Sequence, residues 1–162
     1  MDQAHLGLGY NVTREPQVRV EIASVWPLVA LMKRGGAFDS RASLDLAALD
    51  RLPGAIAPKS FGIGAMIAAV EAKQDRRFRA IVETGLVAAL KAFGQTDMGC
   101  TILPRFVVES DVLAGTMVAH PVSKAVFDGG VAYLPRRERR KLPQAAQLLV
   151  KHLKTLLVFA KA

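Results

Sequence analysis

Between Leu86 and Gly115 the apolar positions change period twice. Leu86, Val87, Leu90 and Phe93 keep the i, i+1, i+4, i+7 spacing of one helical face. After Asp97-Met98-Gly99, the run Cys100-Thr101-Ile102-Leu103 is short and apolar enough for a buried parallel strand, and Pro104 stops it before a second helix that closes at Gly115. The same exchange of periods recurs along the chain. Leu6, Leu8 and Tyr10 alternate with glycines as a strand, Val18, Val20 and Ile22 alternate with Arg19 and Glu21, and Trp26 to Met32 continues extended past Pro27. Lys33 to Ser40, with Gly35-Gly36, reads as a loop, and Asp39, Ser40 and Ser43 offer N-caps for a short helix from Leu44 to Leu49. Gly54 to Ala57 is a strand, Ile63, Met66, Ile67 and Val70 mark a helical face, and Phe78 to Val82 returns as a strand. Thr116 to Pro121 and Val126 to Leu134 are extended. The last helix, Gln144 to Ala160, is expected to bury Leu148, Leu149, Leu153, Leu156 and Leu157 and to turn Lys151 and Lys154 outward. Strands alternating with helices predict an α/β fold with mostly parallel pairing.

Composition narrows the function classes. With 51% hydrophobic residues in 162, the chain can bury one real core. Its longest apolar runs fall far short of the ~20 residues that cross a bilayer, and Met1-Asp2-Gln3-Ala4-His5 lacks the positive start of a signal peptide, so a cytoplasmic location is expected. The lone Cys100, inside an apolar strand, reads as a buried structural thiol. The net charge of +8 raises nucleic acid as a partner, but the basic residues come mostly in ones and twos. The exception, Arg136-Arg137-Glu138-Arg139-Arg140-Lys141, reads as a solvated strand-to-helix turn.

Candidates for chemistry fail on arrangement. His5, His120 and His152 sit on separate elements with no carboxylate or cysteine at ligand spacing, so neither a metal nor a cofactor is expected. Glu109 and Asp111 read as a solvated face. Gly7-Leu8-Gly9 lacks the third glycine of a dinucleotide fingerprint and leads into Tyr10-Asn11-Val12 rather than a helix. No Ser, Cys or Lys has a base at readable spacing.

The unit from Leu86 to Gly115, with Phe78 to Thr84 and Pro58-Lys59-Ser60-Phe61-Gly62-Ile63-Gly64 before it, resembles the effector domain of LysR-type bacterial transcriptional regulators. Leu6-Gly7-Leu8-Gly9-Tyr10-Asn11 resembles the strand that ends the first group of elements in that family's subdomain I, and Val18 to Met32 the strand and crossover into subdomain II. The resemblance implies a two-subdomain, periplasmic-binding-protein-like (type 2) fold with subdomain II complete and subdomain I partial. Residues 1–32 would be partial subdomain I and crossover, 33–115 subdomain II, and 116–162 the return crossover and terminal helix. The chain departs from the family in the loop Arg34-Gly35-Gly36-Ala37-Phe38 and in Asp97, which stands where a glycine is usual. No segment resembles the recognition helix of the family's winged helix-turn-helix, so this chain is expected to be a fragment that meets DNA only through that missing domain.

By the same resemblance a small-molecule effector lies between the subdomains, contacted by Tyr10 and Asn11 and by helix starts and turns of subdomain II, Asp97 among them. The physical case for the helix starts is independent. Ser60-Phe61-Gly62-Ile63-Gly64 presents backbone N–H groups at a helix N-terminus, with glycines that admit a ligand and a hydroxyl beside it, an arrangement suited to an anion. Thr84-Gly85 repeats it. The plain alternative makes Ser60 and Thr84 ordinary N-caps and Phe61 a core ring. Tyr10 occupies a place where certain family members carry an arginine for a diacid, so a single anionic or neutral polar ligand is expected. The reading is therefore a non-enzymatic sensing domain, expected as a homo-oligomer. The rival is a small α/β enzyme or free-standing binding module using the same cleft.

Overall fold

A computed structural model describes residues 5–11, 16–39, 44–123, 127, 130–137 and 141–159. In chain order the elements are β1 (Gly9–Tyr10), β2 (Val18–Trp26), β3 (Leu28–Lys33), α1 (Leu46–Arg51), β4 (Pro53–Ile56), α2 (Gly62–Gln74), β5 (Arg79–Glu83), α3 (Val87–Gln95), β6 (Cys100–Pro104), α4 (Arg105–Leu113), β7 (Met117–Pro121), β8 (Gly130–Arg137) and α5 (Gln144–Phe159). They form two compact units, Met1–Val25 with Val131–Ala162, and Trp26–Gly130.

The larger unit is built on a five-stranded sheet of order β5-β4-β6-β3-β7. β4 runs parallel to β5 and β6, whereas β3 runs antiparallel to both β6 and β7. Pairing is thus mixed, not mostly parallel as the alternation of elements suggests. The physical reason is that β3 follows β2 with only Pro27 between them. A strand that enters without a crossover helix is free to run against its neighbour. Its sequence, Leu-Val-Ala-Leu-Met, is buried along its length and carries no mark of direction, because a central antiparallel strand covered on both faces needs the same apolar run. β3 and β7, which flank the segment from Gly35 to Gly115, pair in the same sheet as β4 to β6.

The core of this unit joins Val29, Leu31, Ala55 and Leu103 of the sheet to Leu90, Phe93 and Val108 of the helices, with Met117. Cys100 is buried at the start of β6, as its apolar setting predicts. On α3 the buried positions are Leu90, Phe93 and Gly94, while Leu86 is 69% exposed and Val87 is also exposed. The expected face is shorter by one turn because Leu86 is the N-cap residue and stands outside the helical spiral. Helix α1 starts two residues later than expected. Its cap is Asp45, whose Oδ1 accepts from the Ala48 amide at 2.7 Å, and Leu44 instead bridges Val122. Ser40 and Ser43 lie outside the described residues, and Asp39 is engaged elsewhere.

The smaller unit has a three-stranded sheet of order β1-β8-β2, with Gly9 opposite Tyr133 in antiparallel register. In α5 the face turned inward runs through Ala146, Val150 and Leu153, and Leu148 is 61% exposed with Leu149 exposed beside it. This corrects the expected face: counting leucines selects one side of the helix, and the structure buries the side carrying Val150. The side chains of Leu156 and Leu157 lie outside what is described. Lys151 faces solvent as expected, but Lys154 Nζ reaches Glu21 Oε2 at 3.7 Å. Glu21 also pairs with Arg136 and, at 3.6 Å, with Arg19. Arg136 is therefore not part of a merely solvated turn; it ties β8 to β2. Residues 138–140 of that basic cluster lie outside the described residues.

Candidate functional site

Parallel strands that each feed a helix place the helix starts at one end of the sheet. β4 leads through residues 57–61 into α2, β5 through 84–86 into α3, and β6 directly into α4, and the three strands are parallel neighbours. Their N-cap residues are Phe61, Leu86 and Pro104, and none supplies a side-chain cap hydrogen bond. The first amides of an α-helix have no partner inside the helix. In α4 the Arg105 amide is taken by the Pro27 carbonyl and in α3 the Ala89 amide by the Leu86 carbonyl, each at 3.0 Å, whereas the Gly62 and Ile63 amides of α2 face this end of the sheet, and the dipoles of helices that start there favour negative charge.

Ser60 is exposed and is not the cap residue of α2, so the plain N-cap alternative does not hold for it. The loop is shaped by its own backbone: the Phe61 amide donates to the Pro58 carbonyl at 2.9 Å, and Gly64 sits so close to the Ala57 and Pro58 carbonyl oxygens that no side chain fits. Phe61 is 48% exposed, and its ring lies over Gly85, where an added Cβ would come within 2.7 Å of Cζ. The phenyl ring thus joins the two helix starts and is not a core ring. Gly62 is the first residue of α2, and the Ile63 side chain packs against the core, leaving only its backbone available. Thr84 is partly occupied, its Oγ1 accepting from the Leu86 amide at 3.2 Å and its own amide donating to the Ile56 carbonyl at 3.0 Å. Lys59 and Arg105 are exposed at this same end. Arg105 is absent from the sequence reading, although a cation directly after a strand-ending proline was a usable signal. Its amide donates to the Pro27 carbonyl at 3.0 Å.

The remaining candidates lie elsewhere. Asp97 precedes β6, whose first residue, Cys100, pairs with Gly54 near the beginning of β4. It therefore stands at the opposite end of the parallel strands from Ser60 and Thr84, and its Oδ1 accepts from the Ala37 amide at 2.9 Å, tying the loop after β3 to the turn after α3. Tyr10 and Asn11 belong to the smaller unit. Tyr10 pairs with Ala132, and the Asn11 amide donates to the Val131 carbonyl at 2.7 Å from a left-handed backbone (φ 49°), which Asn tolerates better than most residues.

One polar pair escaped the sequence reading because its members are remote in sequence. His120 Nε2 lies 3.1 Å from Asp39 Oδ1, and Asp39 Oδ2 accepts from the Gly35 amide at 2.6 Å. The Gly35 amide, with His120 adding to it, holds the Asp39 carboxyl below the usual carboxylate range. The pair fastens the loop after β3 against β7. Among the described residues no group of three or more His, Cys, Asp or Glu side chains is arranged to hold a metal.

Residues 1–157 match the family model for the LysR substrate binding domain. The chain belongs to that family. Solved structures agree in fold with this LysR domain. The regulatory domain of CcmR from Synechocystis PCC6803, described in complex with 2-PG, superposes with a TM-score of 0.77 at 14% identity over 96% of this chain and 74% of that one. The effector binding domain of QuiR, in complex with shikimate, gives 0.72 at 16% identity over 94% and 69%. HinK, a LysR family transcriptional regulator from Pseudomonas aeruginosa, gives 0.69 at 14% identity over 94% of this chain and 52% of that one. No curated protein matches the sequence. The fold class is thus a mixed α/β domain of the periplasmic-binding-protein-like type 2 kind, and the family is one of transcriptional regulators. No described helix is long and apolar enough to cross a membrane.

Proposed function

We propose that this LysR domain senses a small, singly anionic or neutral polar metabolite at the end of the larger unit where α2 and α3 begin. The observation that carries the reading is the pair of adjacent helix starts without side-chain caps, bridged by Phe61 over Gly85. Amides of Gly62 and Ile63 and the Ser60 hydroxyl would take the ligand's charged group, the Thr84 hydroxyl a second polar atom, and Phe61 its apolar body. Lys59 and Arg105 add positive charge. Tyr10 and Asn11, which only the family resemblance adds as contacts, are not required by this reading, and neither is Asp97, at the other end of the parallel strands. That the CcmR and QuiR domains are described with 2-PG and shikimate supports a small polar ligand.

In the whole regulator such binding would reposition paired helix-turn-helix domains on DNA, and the protein would work in the cytoplasm as a homo-oligomer. We take it as a binding module rather than an enzyme. The nearest thing to an acid-base pair is His120 with Asp39, and there the Gly35 amide already occupies the second carboxylate oxygen.

The test is a thermal-shift screen with monocarboxylates, phosphorylated acids and neutral polyols, followed by calorimetry of any hit. Ser60→Ala with Gly62→Val should weaken the hit far more than it lowers the melting temperature. Unchanged affinity would place the site elsewhere.

A further inference from the structure

We infer that the Asp39–His120 contact makes the loop after β3 a proton-operated clasp, tight when the His120 imidazole is charged and looser when it is neutral. The loop folds back on itself: the Gly36 amide donates to the Lys33 carbonyl at 3.3 Å and the Asp39 amide to the Gly36 carbonyl at 3.1 Å. Two carboxylates hold its other amides, Asp39 that of Gly35 and Asp97 that of Ala37. Gly36 lies so near Asp97 that an added Cβ would come within 2.5 Å of Oδ1. The two places where the chain departs from the family pattern, this loop and Asp97, thus meet. At its first residue the loop is tied to the β7 side by Arg34, whose amide donates to the Thr116 carbonyl and whose Nη2 donates to the Met117 carbonyl, each at 3.3 Å. At its last residue the tie is Asp39 Oδ1 to His120 Nε2, on β7 opposite Ala30 of β3.

Only one proton can work this second tie near neutrality. His120 is 8% exposed, and among the described residues Asp39 is the sole hydrogen-bond and ion-pair partner of its ring. Beside it β3 places the uncharged Val29, Ala30 and Leu31, and Lys33 stands farther along, opposite Met117. Helix α4, which packs on β7, carries Arg105, Glu109 and Asp111, the last paired with Lys91. The segment bridged to Val122 carries Asp45, whose Oδ1 is taken by the Ala48 amide. Arg34 is the remaining charge near Asp39. Because the Gly35 amide first, and His120 after it, hold the Asp39 carboxyl below the usual carboxylate range, it stays ionised through the interval from about pH 5 to 8 in which imidazoles ordinarily change charge. A neutral imidazole still donates to Oδ1, but a hydrogen bond between ionised groups is roughly twice as strong. The clasp therefore tightens as pH falls through that interval and loosens as it rises. β3 brings the chain into the larger unit and β7 begins its return, so the proton acts on the connecting strands and the inference stands apart from the ligand site.

Amide hydrogen exchange on the whole chain, corrected for the intrinsic rate at each pH, reads the clasp at Gly35 and Ala37, with Ile102 of β6 as the reference for global opening. In the parent, protection of the two loop amides should fall about three- to tenfold between about pH 5.5 and 8 while that of Ile102 holds. Asp39→Asn keeps an acceptor without the charge, and His120→Gln keeps a neutral donor; each should leave the loop at the weaker level with no pH response. Asp97→Asn should loosen the loop and keep the response, which separates a proton-operated tie from mere weakness of the loop. The parent reading needs no substitution, so it decides the matter even where a variant folds poorly. Loop protection that is flat with pH in the parent, a fall shared equally by Ile102, or a response that survives His120→Gln would each overturn the clasp.

Discussion

Replacing Gly64 by alanine sets two effects of opposite sign against each other. In an exposed helix interior, glycine to alanine gains about 0.8–1 kcal/mol from backbone entropy. Gly64, however, is buried in the first turn of α2, and a Cβ there would lie 2.5 Å from the Pro58 carbonyl carbon and closer still to the Pro58 and Ala57 carbonyl oxygens. These are backbone atoms of the turn that leads from β4 to the helix, so relief requires the helix start to move off the turn. Overpacking of this kind costs roughly 1–3 kcal/mol or more and outweighs the propensity gain. A net loss of about 1–2 kcal/mol is therefore expected, a fall in melting temperature of roughly 2–8 °C for a chain of this size. Gly94 is the internal control: it too is buried in a helix, but its added Cβ would meet the Leu31 carbonyl oxygen at 3.2 Å and the Thr101 methyl at 3.4 Å, contacts that a few tenths of an ångström relieve. Paired urea titrations of both variants, with ligand affinity measured on each, check the argument. If Gly64→Ala is as stable as the parent or more so, the packing of α2 on its own entry turn is not what shapes this end of the sheet.

Three further outcomes are expected. Arg136 is the largest cause of the lowered Glu21 pKa, so the pair contributes stability above the unfolded carboxylate value of about 4 that is lost as pH falls through the depressed folded value; Arg136→Gln should be less stable than the parent near pH 6, with the gap closing toward pH 2 in acid titrations followed by circular dichroism, and a constant gap would refute the assignment. On α5, Val150→Ala should cost about 1.5–3 kcal/mol, whereas Leu148→Lys should stay within roughly 0.5 kcal/mol, and the reverse order in denaturant melts would show that the other face is buried. Against duplex DNA the chain, despite its net charge of +8, should bind weakly, without sequence preference, and with affinity that falls steeply with salt; sequence-selective binding at physiological salt in an anisotropy titration would remove the sensing reading.

What the sequence made legible follows the range of the interactions concerned. Strands β4 to β6 and helices α2 to α4 are encoded locally by period and by Gly and Pro, and all six are found within a few residues of their expected places. The Ser60 and Thr84 turns could be read because a strand, a short turn and a helix are contiguous. The direction of β3 could not, since Leu28 to Met32 satisfies either direction equally. The α5 face was misread at Leu148 and Leu149 because counting leucines overlooked Val150 in a helix that is apolar on more than one side. The Asp39 to His120 and Glu21 to Arg136 pairs join residues far apart in sequence, and spacing carries no trace of them. Asp97 could be numbered into a loop but not assigned to an end of the sheet without the register of β6 on β4.

The register of β1 on β8 fixes an order of events during synthesis. Gly9 and Tyr10 find their partners in Tyr133 and Ala132, on the order of a hundred residues later, so the smaller unit cannot form while the ribosome is still making the larger one. At roughly 5–20 residues per second, the first strands stay without their sheet for about ten seconds. The larger unit is contiguous and can close once β7 has emerged, bringing both flanks of the chain toward each other before either has a stable partner. Nascent chains should therefore gain protease resistance in two steps, first across Trp26–Gly130 and later, once β8 has emerged, across the smaller unit, with the high-separation pairing of β1 and β8 as the slow step.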